Sequence, residues 1–509
     1  MSFEEDFEEE LYNYIDYKQT EMPFFLNKIE DLSHRTEYYK IKEYLDEFLN
    51  NEKDASNFIV MPGLRGVGKT TILLQIYDYL SNEKNINNED ILFLSMDRLR
   101  YYDADLLKIV ENFLEFTHKT SLIHLDKKIF ILVDECHFDK NWGLSGKIIH
   151  DYTKNIFLLC TGSSALNLEM NADVVRRSSK EAIFPNSFQD YLLLKYNINL
   201  YNGSSSVSKS IHHNNNDSNV LNKVKPNNNF SNVLENLIYF GEEKYFNEAK
   251  VLEKTIQKQL NTLNKNPNIE FNEFLKIHGF PFSLYSKEKK AYQNIFNNIK
   301  KVVDEDIPSI KSFNTSSTIN FMKILMYLGT QRPGSLSIQK IANYLSISSN
   351  TVHEMLNVLE KSQVIFNIKP YVGGTKTIKA SWKYYFLSSS IKAAISYELG
   401  RYDLNNRKCL GALAENYVAA ALFKMKQKSF RMMGIFFPTE KGGCDFLIKT
   451  KLDDLVPIEV GIGKKTKSQL TKAINTYDAD YGILISNRYS KLQYYGEIIH
   501  IPLVTFGFL

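Results

Sequence analysis

Cysteine is scarce in this chain: there are four in 509 residues, Cys136, Cys160, Cys409 and Cys444, and no two form a C-x-x-C pair. That spacing argues against the common zinc and thiol-redox frameworks. Two of the four lie in apolar, strand-like runs, where buried thiols are ordinary, and a reducing compartment fits. Long hydrophobic runs are also missing. None approaches the roughly 18 consecutive apolar residues that span a bilayer, so no membrane partner is expected. The opening MSFEEDFEEELYNY is acidic and has no apolar signal core, which makes a cytoplasmic protein the expectation. Charge of one sign is lacking as well: 62 Lys and Arg face 59 Asp and Glu, a net of +3. What is present is an ordinary globular composition, 43 % hydrophobic and 24 % charged. The chain is too long for one core, so three or more domains are expected. It contains no internal repeat.

The pattern changes along the chain. Residues 1–50 read as helical, with an amphipathic stretch from Tyr38 to Leu49. Over 51–200, short apolar runs alternate with helical patterns: FIVM at 58–61, ILFLSMD at 91–97, IFILVDE at 129–135, IFLLCTG at 156–162 and EAIFP at 181–185. Such alternation predicts an α/β fold, a parallel sheet with crossover helices. Residues 201–232 are Asn- and Ser-rich with hardly any aromatics and read as a disordered insertion, in which His212 and His213 sit in a solvated loop. Residues 233–310 read as helices, broken at His278-Gly279-Phe280-Pro281. Two further units follow at 311–400 and 401–509.

Gly63-Leu-Arg-Gly66-Val-Gly68-Lys69-Thr70 matches G-x-x-x-x-G-K-[ST] between a β-branched run and an amphipathic helix from Thr71 to Leu80. The glycines let backbone N–H groups turn in around phosphates, and the helix N-terminus adds partial positive charge. Gly63, Gly66, Gly68, Lys69, Thr70 and Thr71 are therefore the expected ATP-binding set. Lys69 would reach the β- and γ-phosphates, and Thr70 would hold Mg²⁺. Arg65, inside the loop, is open to the same phosphates without an assigned role. The run Ile129–Val133 ends in Asp134 and Glu135. Asp134 is placed to hold Mg²⁺ through water, and Glu135 to orient and deprotonate the attacking water. At the end of the next run, Thr161, Ser163 or Ser164 would sense the γ-phosphate. Arg176 and Arg177 follow as candidates for an arginine supplied to that phosphate, in the same chain or a neighbouring one.

The middle unit is basic. Lys311 to Lys392 holds ten Lys or Arg against Glu354 and Glu360, 10 − 2 = +8. An amphipathic helix at 337–345, a polar turn at 346–350 and a second helix at 351–361 have helix-turn-helix spacing. Strands at 364–366 and 379–386, with Gly373-Gly374 at the tip, would form a wing. Ser348, Ser349, Asn350 and His353, with Lys376 and Lys379, are then the candidates for contacting double-stranded DNA.

The segments GLRGVGKTT, ILVDECHFDKNW, LLCTGSSALNL and VVRRSSKEAIFPNSFQDYL together resemble a family of AAA-type ATPases common in archaea and bacteria. In that family a P-loop core with a helical lid is followed by a winged helix and a restriction-endonuclease-like domain. Phe184-Pro-Asn-Ser-Phe-Gln-Asp-Tyr-Leu192 resembles its "PxSFxEYL" element, and His278-Gly279-Phe280-Pro281 its "GGFP" lid element, with His for the first Gly. The resemblance covers most of 30–509 apart from the insertion. It implies a P-loop ATPase of the ASCE/AAA type over 51–200, a lid over 233–310, a winged helix over 311–400 and an α/β PD-(D/E)xK-like domain over 401–509. Glu415, Asp445 and Glu459 occupy that fold's acidic positions, where Asp and Glu bind a second Mg²⁺. Gln469 and Tyr477 match residues that some members carry. The third residue of the Glu-x-Lys triplet, however, is Gly461; Lys464 or Lys465 would have to swing back. Ring assembly is common for AAA folds, so a homo-oligomer is compatible, although Arg176 and Arg177 do not demand one.

Three readings follow. In the first, ATP state drives the winged helix and a degenerate nuclease-like tail on DNA or a partner. In the second, the protein is an ATP-gated, Mg²⁺-dependent DNA nuclease in defence or mobile-element control. In the third, it is a regulator that binds ATP and hardly hydrolyses it.

Overall fold

The computed structural model describes residues 13–14, 17, 20–99, 105–163, 172–198, 229–263, 265–310, 315–331, 334–373, 380–429, 431–440, 443–450, 454–462 and 468–509. Ser164, most of the Asn-rich stretch, the expected wing tip with Lys376 and Lys379, and Lys464 and Lys465 lie outside them. The chain divides into two compact units: Met1–Phe184 with Lys301–Thr315 and Lys361–Gln363, and Pro185–Lys300 with Ser316–Glu360 and Val364–Leu509.

The first unit is built on five parallel strands, β1 (Phe58–Gly63), β2 (Ile91–Ser95), β3 (Ile129–Asp134), β4 (Ile156–Ser163) and β5 (Ser179–Lys180), in the order β2-β3-β4-β1-β5. Every residue of β1, β3 and β4 is buried. A parallel sheet covered on both faces needs this continuous apolar run rather than alternation. The helices bury one stripe each. α1 (Thr36–Leu49) buries Tyr38, Ile41, Leu45 and Phe48 at helical spacing. α2 (Lys69–Asp78) leaves β1 through the glycine loop. α3 (Leu106–His118) is capped by Asp105, which accepts from Lys108 N–H, and buries Ile109, Val110 and Phe113. α4 (Trp142–Tyr152) fixes the fully buried Trp142, and α5 (Ala172–Arg177) precedes β5. The EAIFP run continues along β1 beyond the Ser179–Lys180 pairing, with Glu181 N–H on Val60 O at 2.9 Å, Ile183 N–H on Pro62 O at 2.8 Å and a bridge from Ile183 to Gly63.

Register does the positioning. Gly63 is level with Ser163, and Val133 with Cys160, so the carboxyl ends of β3, β4 and β1 finish side by side. Ligands of parallel α/β sheets bind beyond those ends.

The second unit carries α6 (Phe188–Tyr196), started by a reciprocal Ser187–Asp190 capping box, then α7 (Asn229–Phe240), α8 (Glu243–Asn261), α9 (Pro267–Ile277) and α10 (Glu288–Lys301). Next come α11 (Thr315–Thr330), α12 (Ile338–Leu345), α13 (Ser349–Lys361), the hairpin β6 (Ile365–Pro370) and β7 (Lys383–Phe386), α14 (Ser389–Glu398) and α15 (Arg407–Lys428). The C-terminal part holds β8 (Gly434–Phe437), β9 (Phe446–Lys449), β10 (Leu455–Gly461), α16 (Ser468–Tyr477), β11 (Gly482–Ser486), β12 (Gln493–Tyr495) and β13 (Ile498–Pro502). All eight strands form one sheet, β12-β13-β11-β10-β9-β8-β6-β7. The hairpin joins the C-terminal strands through Lys369–Phe436 and Pro370–Phe437, a parallel pairing. β7 is the sheet edge, and the Asn416 side chain of α15 covers part of it. Its amide accepts from Phe386 N–H at 3.0 Å and donates to Phe386 O at 2.8 Å, and Ser335 bridges Lys383 at the start of the strand, so the edge is blunted at both ends.

The helices after the insertion pack on the C-terminal region. Glu253 is buried on the apolar face of α8, where it accepts from Leu492 N–H at 2.9 Å and from the Thr505 hydroxyl at 2.6 Å. Tyr481 donates to Ile238 O at 3.0 Å, and Tyr239 to Thr450 O. The two family-like signature segments meet each other: Asn186 N–H donates to Gly279 O at 2.9 Å and its side chain to His278 O at 3.2 Å.

Candidate nucleotide site

Gly66 and Gly68 have φ of 82° and 100°, the left-handed region that a side chain disfavours, so the loop of β1 can turn its N–H groups inward ahead of α2. Lys69 is buried, with Nζ 3.1 Å from Gly63 O and 3.3 Å from Leu64 O. Its ammonium is thus held along the loop's inner wall, 3.9 Å from Glu135 Oε1. Thr70, one residue on, donates its hydroxyl to Asp134 Oδ2 at 2.9 Å. Thr161 donates to the other carboxylate oxygen, Oδ1, at 2.5 Å, and its hydroxyl accepts from Glu135 N–H at 3.2 Å. Three strand ends thereby converge: the loop after β1, the acids ending β3 and the threonine in β4.

The electrostatics follow from burial. Asp134 is held above the ordinary carboxylate range, first by burial and then by Glu135; the Thr161 and Thr70 hydrogen bonds and Lys69 pull the other way. A carboxylate in that position would be relieved by a cation, and the Thr70 hydroxyl beside it supplies the oxygen donor that Mg²⁺ takes. The residues fit a nucleotide with its metal. Glu135 has φ of 53°, which turns its side chain at the strand end, and Oε2 lies 3.2 Å from His137 Nδ1. That nitrogen also faces Ser163 N–H at 3.3 Å and can serve only one of them at a time. Burial pushes the His137 ring down to about 4, against the pull of Glu135.

Other members of the site have no sequence signal near the loop. Arg35, 4 % exposed, donates to Val67 O inside the loop at 2.9 Å and to Phe184 O at 3.2 Å, with Glu37 at 3.5 Å. It precedes the loop by nearly thirty residues, at the N-cap of α1. Asp306, 2 % exposed, follows the loop by more than two hundred. It accepts a hydrogen bond from the Ser163 side chain and pairs with Arg65 at 2.9 Å. Glu305 pairs with the same Nη1 at 2.7 Å.

Of the arginine candidates, Arg177 pairs with Asp151 at the end of α4 at 2.7 Å, and Arg176 is exposed on α5. The structure does not place either of them among the contacts of Lys69, Thr70 and Asp134 described above. Thr71, the next residue of α2, is half-buried.

In the helix-turn-helix stretch, α13 begins at Ser349, two residues before the expected start. Ser348 caps it, its hydroxyl accepting from Thr351 N–H at 3.0 Å, and Ser349 donates to Gln339 on α12 at 2.9 Å. Ser348 therefore starts α13 and Ser349 ties it to α12, while Asn350 and His353 are exposed. The basic balance is smaller on the surface than in the sequence. Lys392 is buried and donates to the carbonyls of Leu328, Gly329 and Gln331 at 3.2, 3.3 and 2.9 Å, capping the end of α11.

In the C-terminal part, Asp445 immediately precedes β9 and Glu459 lies in β10, each next to the level pair Phe446–Ile458. Asp445 N–H donates to Ile458 O at 3.0 Å, and its carboxylate accepts from Val460 N–H at 2.7 Å. Glu459 is 1 % exposed. Glu415, half-buried on α15, accepts from the Tyr385 hydroxyl at 3.0 Å. Tyr477 donates to Glu440 at 2.6 Å. Among the described residues no group of three or more His, Cys, Asp or Glu is arranged to hold a metal ion, and no described helix is long and apolar enough to cross a membrane.

Comparison with known proteins gives two family models, an AAA domain over residues 55–192 and a domain of unknown function (DUF8612) over 268–401. "Uncharacterized protein MJ1637" of Methanocaldococcus jannaschii is 30 % identical over 494 residues, 97 % of this chain and 93 % of that one. An "Uncharacterized protein" of Haemophilus influenzae is 21 % identical over 467 residues, covering 90 % and 93 % of the two chains. The AMPPCP-bound DnaA of Aquifex aeolicus aligns with 66 % of this chain and 91 % of its own at 13 % identity. Its TM-score is 0.25, too low for the likeness to bear on function.

Proposed function

The chain belongs to the family of the Methanocaldococcus jannaschii protein MJ1637 and carries a P-loop ATPase domain of the AAA type, and from that premise we propose that it binds ATP with Mg²⁺ and hydrolyses it to control its second unit. The observation that carries the reading is the convergence of Thr70, Asp134 and Thr161, with Glu135 beside Lys69 at 3.9 Å. Lys69 would hold the β- and γ-phosphates, and Thr70 and Asp134 the metal, which when bound neutralises phosphate charge. Glu135, aimed by its turned backbone, takes the proton of the attacking water. Thr161 fixes the Asp134 carboxylate and the Glu135 backbone together, so it orders the acids rather than meeting the phosphate alone. Arg176 acts on the phosphate only if a second copy supplies it, and a homo-oligomer is part of that proposal alone.

The second unit is the output. α12, α13 and the β6–β7 hairpin support the winged-helix reading, in which the exposed Asn350 and His353 would face duplex DNA or a partner protein. The C-terminal strands carry Asp445 and Glu459 where a PD-(D/E)xK nuclease has its acids, but Gly461 stands in the lysine position. Asp445 is also engaged by Val460 N–H. This favours a tail that binds over one that cuts.

Phosphate release from ATP and nicking of duplex DNA, measured side by side, test both parts. Lys69→Ala should abolish nucleotide binding. Glu135→Gln should retain binding and lower hydrolysis by about 10²–10⁴. Hydrolysis unchanged in Glu135→Gln would remove its assigned role. Mg²⁺-dependent nicking by the wild type that disappears in Asp445→Ala would replace the binding tail with the ATP-gated nuclease.

A further inference from the structure

Arg65 lies inside the nucleotide loop, between Leu64 and Gly66, yet the mechanism above gives it nothing to do. Its guanidinium is held by two acids from one distant segment, Glu305 and Asp306, at 2.7 and 2.9 Å. These acids lie in a single turn, Val302–Asp306, which leads into Ile307–Ile310 and links α10 to α11. The two carboxylates differ in setting. Glu305 is half exposed, while Asp306 is buried and tied to Ser163, the last residue of β4, which is level with Gly63. A carboxylate at that point shares its surroundings with Lys69 and Glu135, and burial with Glu135 disfavours its charge, against the pull of Arg65. It stands on the side of the loop where a terminal phosphate would bring more negative charge.

We propose that Arg65 is a switch contact, exchanging its bonds to Asp306 and Glu305 for the terminal phosphate of ATP and thereby releasing segment 301–310. The inference rests on the ATP reading and deepens it. The phosphate wins the exchange because it offers the guanidinium more charge and a matching pair of oxygens. Asp306, left beside Glu135 and the phosphate without its countercharge, is then repelled. ADP, lacking that phosphate, leaves the contact in place. The turn therefore reports which nucleotide is bound, and it does so on the stretch of chain that runs between α10 and α11.

The test is binding of a non-hydrolysable ATP analogue and of ADP, each with Mg²⁺, to the full chain. Asp306→Asn keeps the shape and removes the competing charge. It should tighten analogue binding by about tenfold and ADP binding by less than about twofold, in the range of ordinary coupling energies. Arg65→Ala should weaken analogue binding, and adding Asp306→Asn to it should bring no gain. Hydrogen exchange of residues 301–310 should speed up on adding the analogue to the wild type but not to Arg65→Ala. If Asp306→Asn fails to fold, Glu305→Gln, altered at a half-exposed position, should show a smaller gain in the same direction. Equal or weaker analogue binding in Asp306→Asn, or the same gain with and without Arg65, overturns the switch while the ATP reading stands. A wild type that binds neither nucleotide overturns both.

Discussion

Arg35 crosses into the nucleotide loop from outside it, its Nη1 donating to Val67 O at 2.9 Å. The same guanidinium holds Phe184 O and lies beside Glu37. A buried arginine with three acceptors acts as a peg: it satisfies carbonyls that water does not reach and fixes the back of the loop.

Removing that peg should be costly. Arg35→Ala leaves two buried carbonyls and the Glu37 carboxylate without their donor, a loss of about 3–5 kcal/mol by the usual cost of breaking a buried pair. Thermal unfolding should fall markedly. Nucleotide affinity, measured well below the new melting point, should fall as well because the loop loses its anchor. A melting point unchanged from the wild type would show that the contact carries no weight.

The pH dependence of stability has a sign set by His137. Its folded value is pushed down to about 4 from 6.5, so the unfolded chain binds the proton more readily between those values. The contribution is therefore complete above pH 6.5 and lost as pH falls towards 4, by about 3 kcal/mol in all. His278, pushed down to about 3 mainly by burial, adds a slope of the same sign. Asp306, held up at about 6, acts oppositely, costing stability as pH rises from 3.8 to 6. The readout is therefore the difference between parent and His137→Gln in denaturant unfolding at pH 7 and pH 5. The variant should lose less stability over that interval, and identical slopes would contradict the assignment.

Gly279 tests how closely its segment packs against the start of α14. A Cβ there would lie 2.2 Å from Ser388 Oγ and 2.9 Å from Ser390 Oγ. The Gly279 N–H donates to that second hydroxyl at 3.0 Å. Gly279→Ala should destabilise the protein by about 1–3 kcal/mol through overpacking. Chemical denaturation of the full chain would measure it; a neutral result would mean that the serines rotate away freely.

Much of the first unit was legible because its signals are local. Apolar runs before polar turns mark β1, β3 and β4, and the order of loop, acids and polar strand end points to Lys69, Thr70 and Asp134 while leaving Thr161, Ser163 and Ser164 as alternatives. Boundaries moved where capping chemistry outweighed periodicity: Ser348 starts α13 two residues early. The illegible parts are all long-range. Arg35, Asp306 and Glu305 belong to no motif in the sequence, and only folding brings them to the loop. Lys392 counted as part of a basic surface, yet three carbonyls at a helix end take it inside. The separation between the middle and C-terminal stretches was read from composition, which carries no trace of the two residue pairs that join β6 to β8.

That small join also governs where the chain can be cut. A fragment ending near residue 400 would keep the hairpin but strip β8 from one flank of β6 and the Asn416 cover from β7. β6 would then be bare on one flank and β7 covered only where Ser335 bridges Lys383, a template for stacking copies into insoluble material.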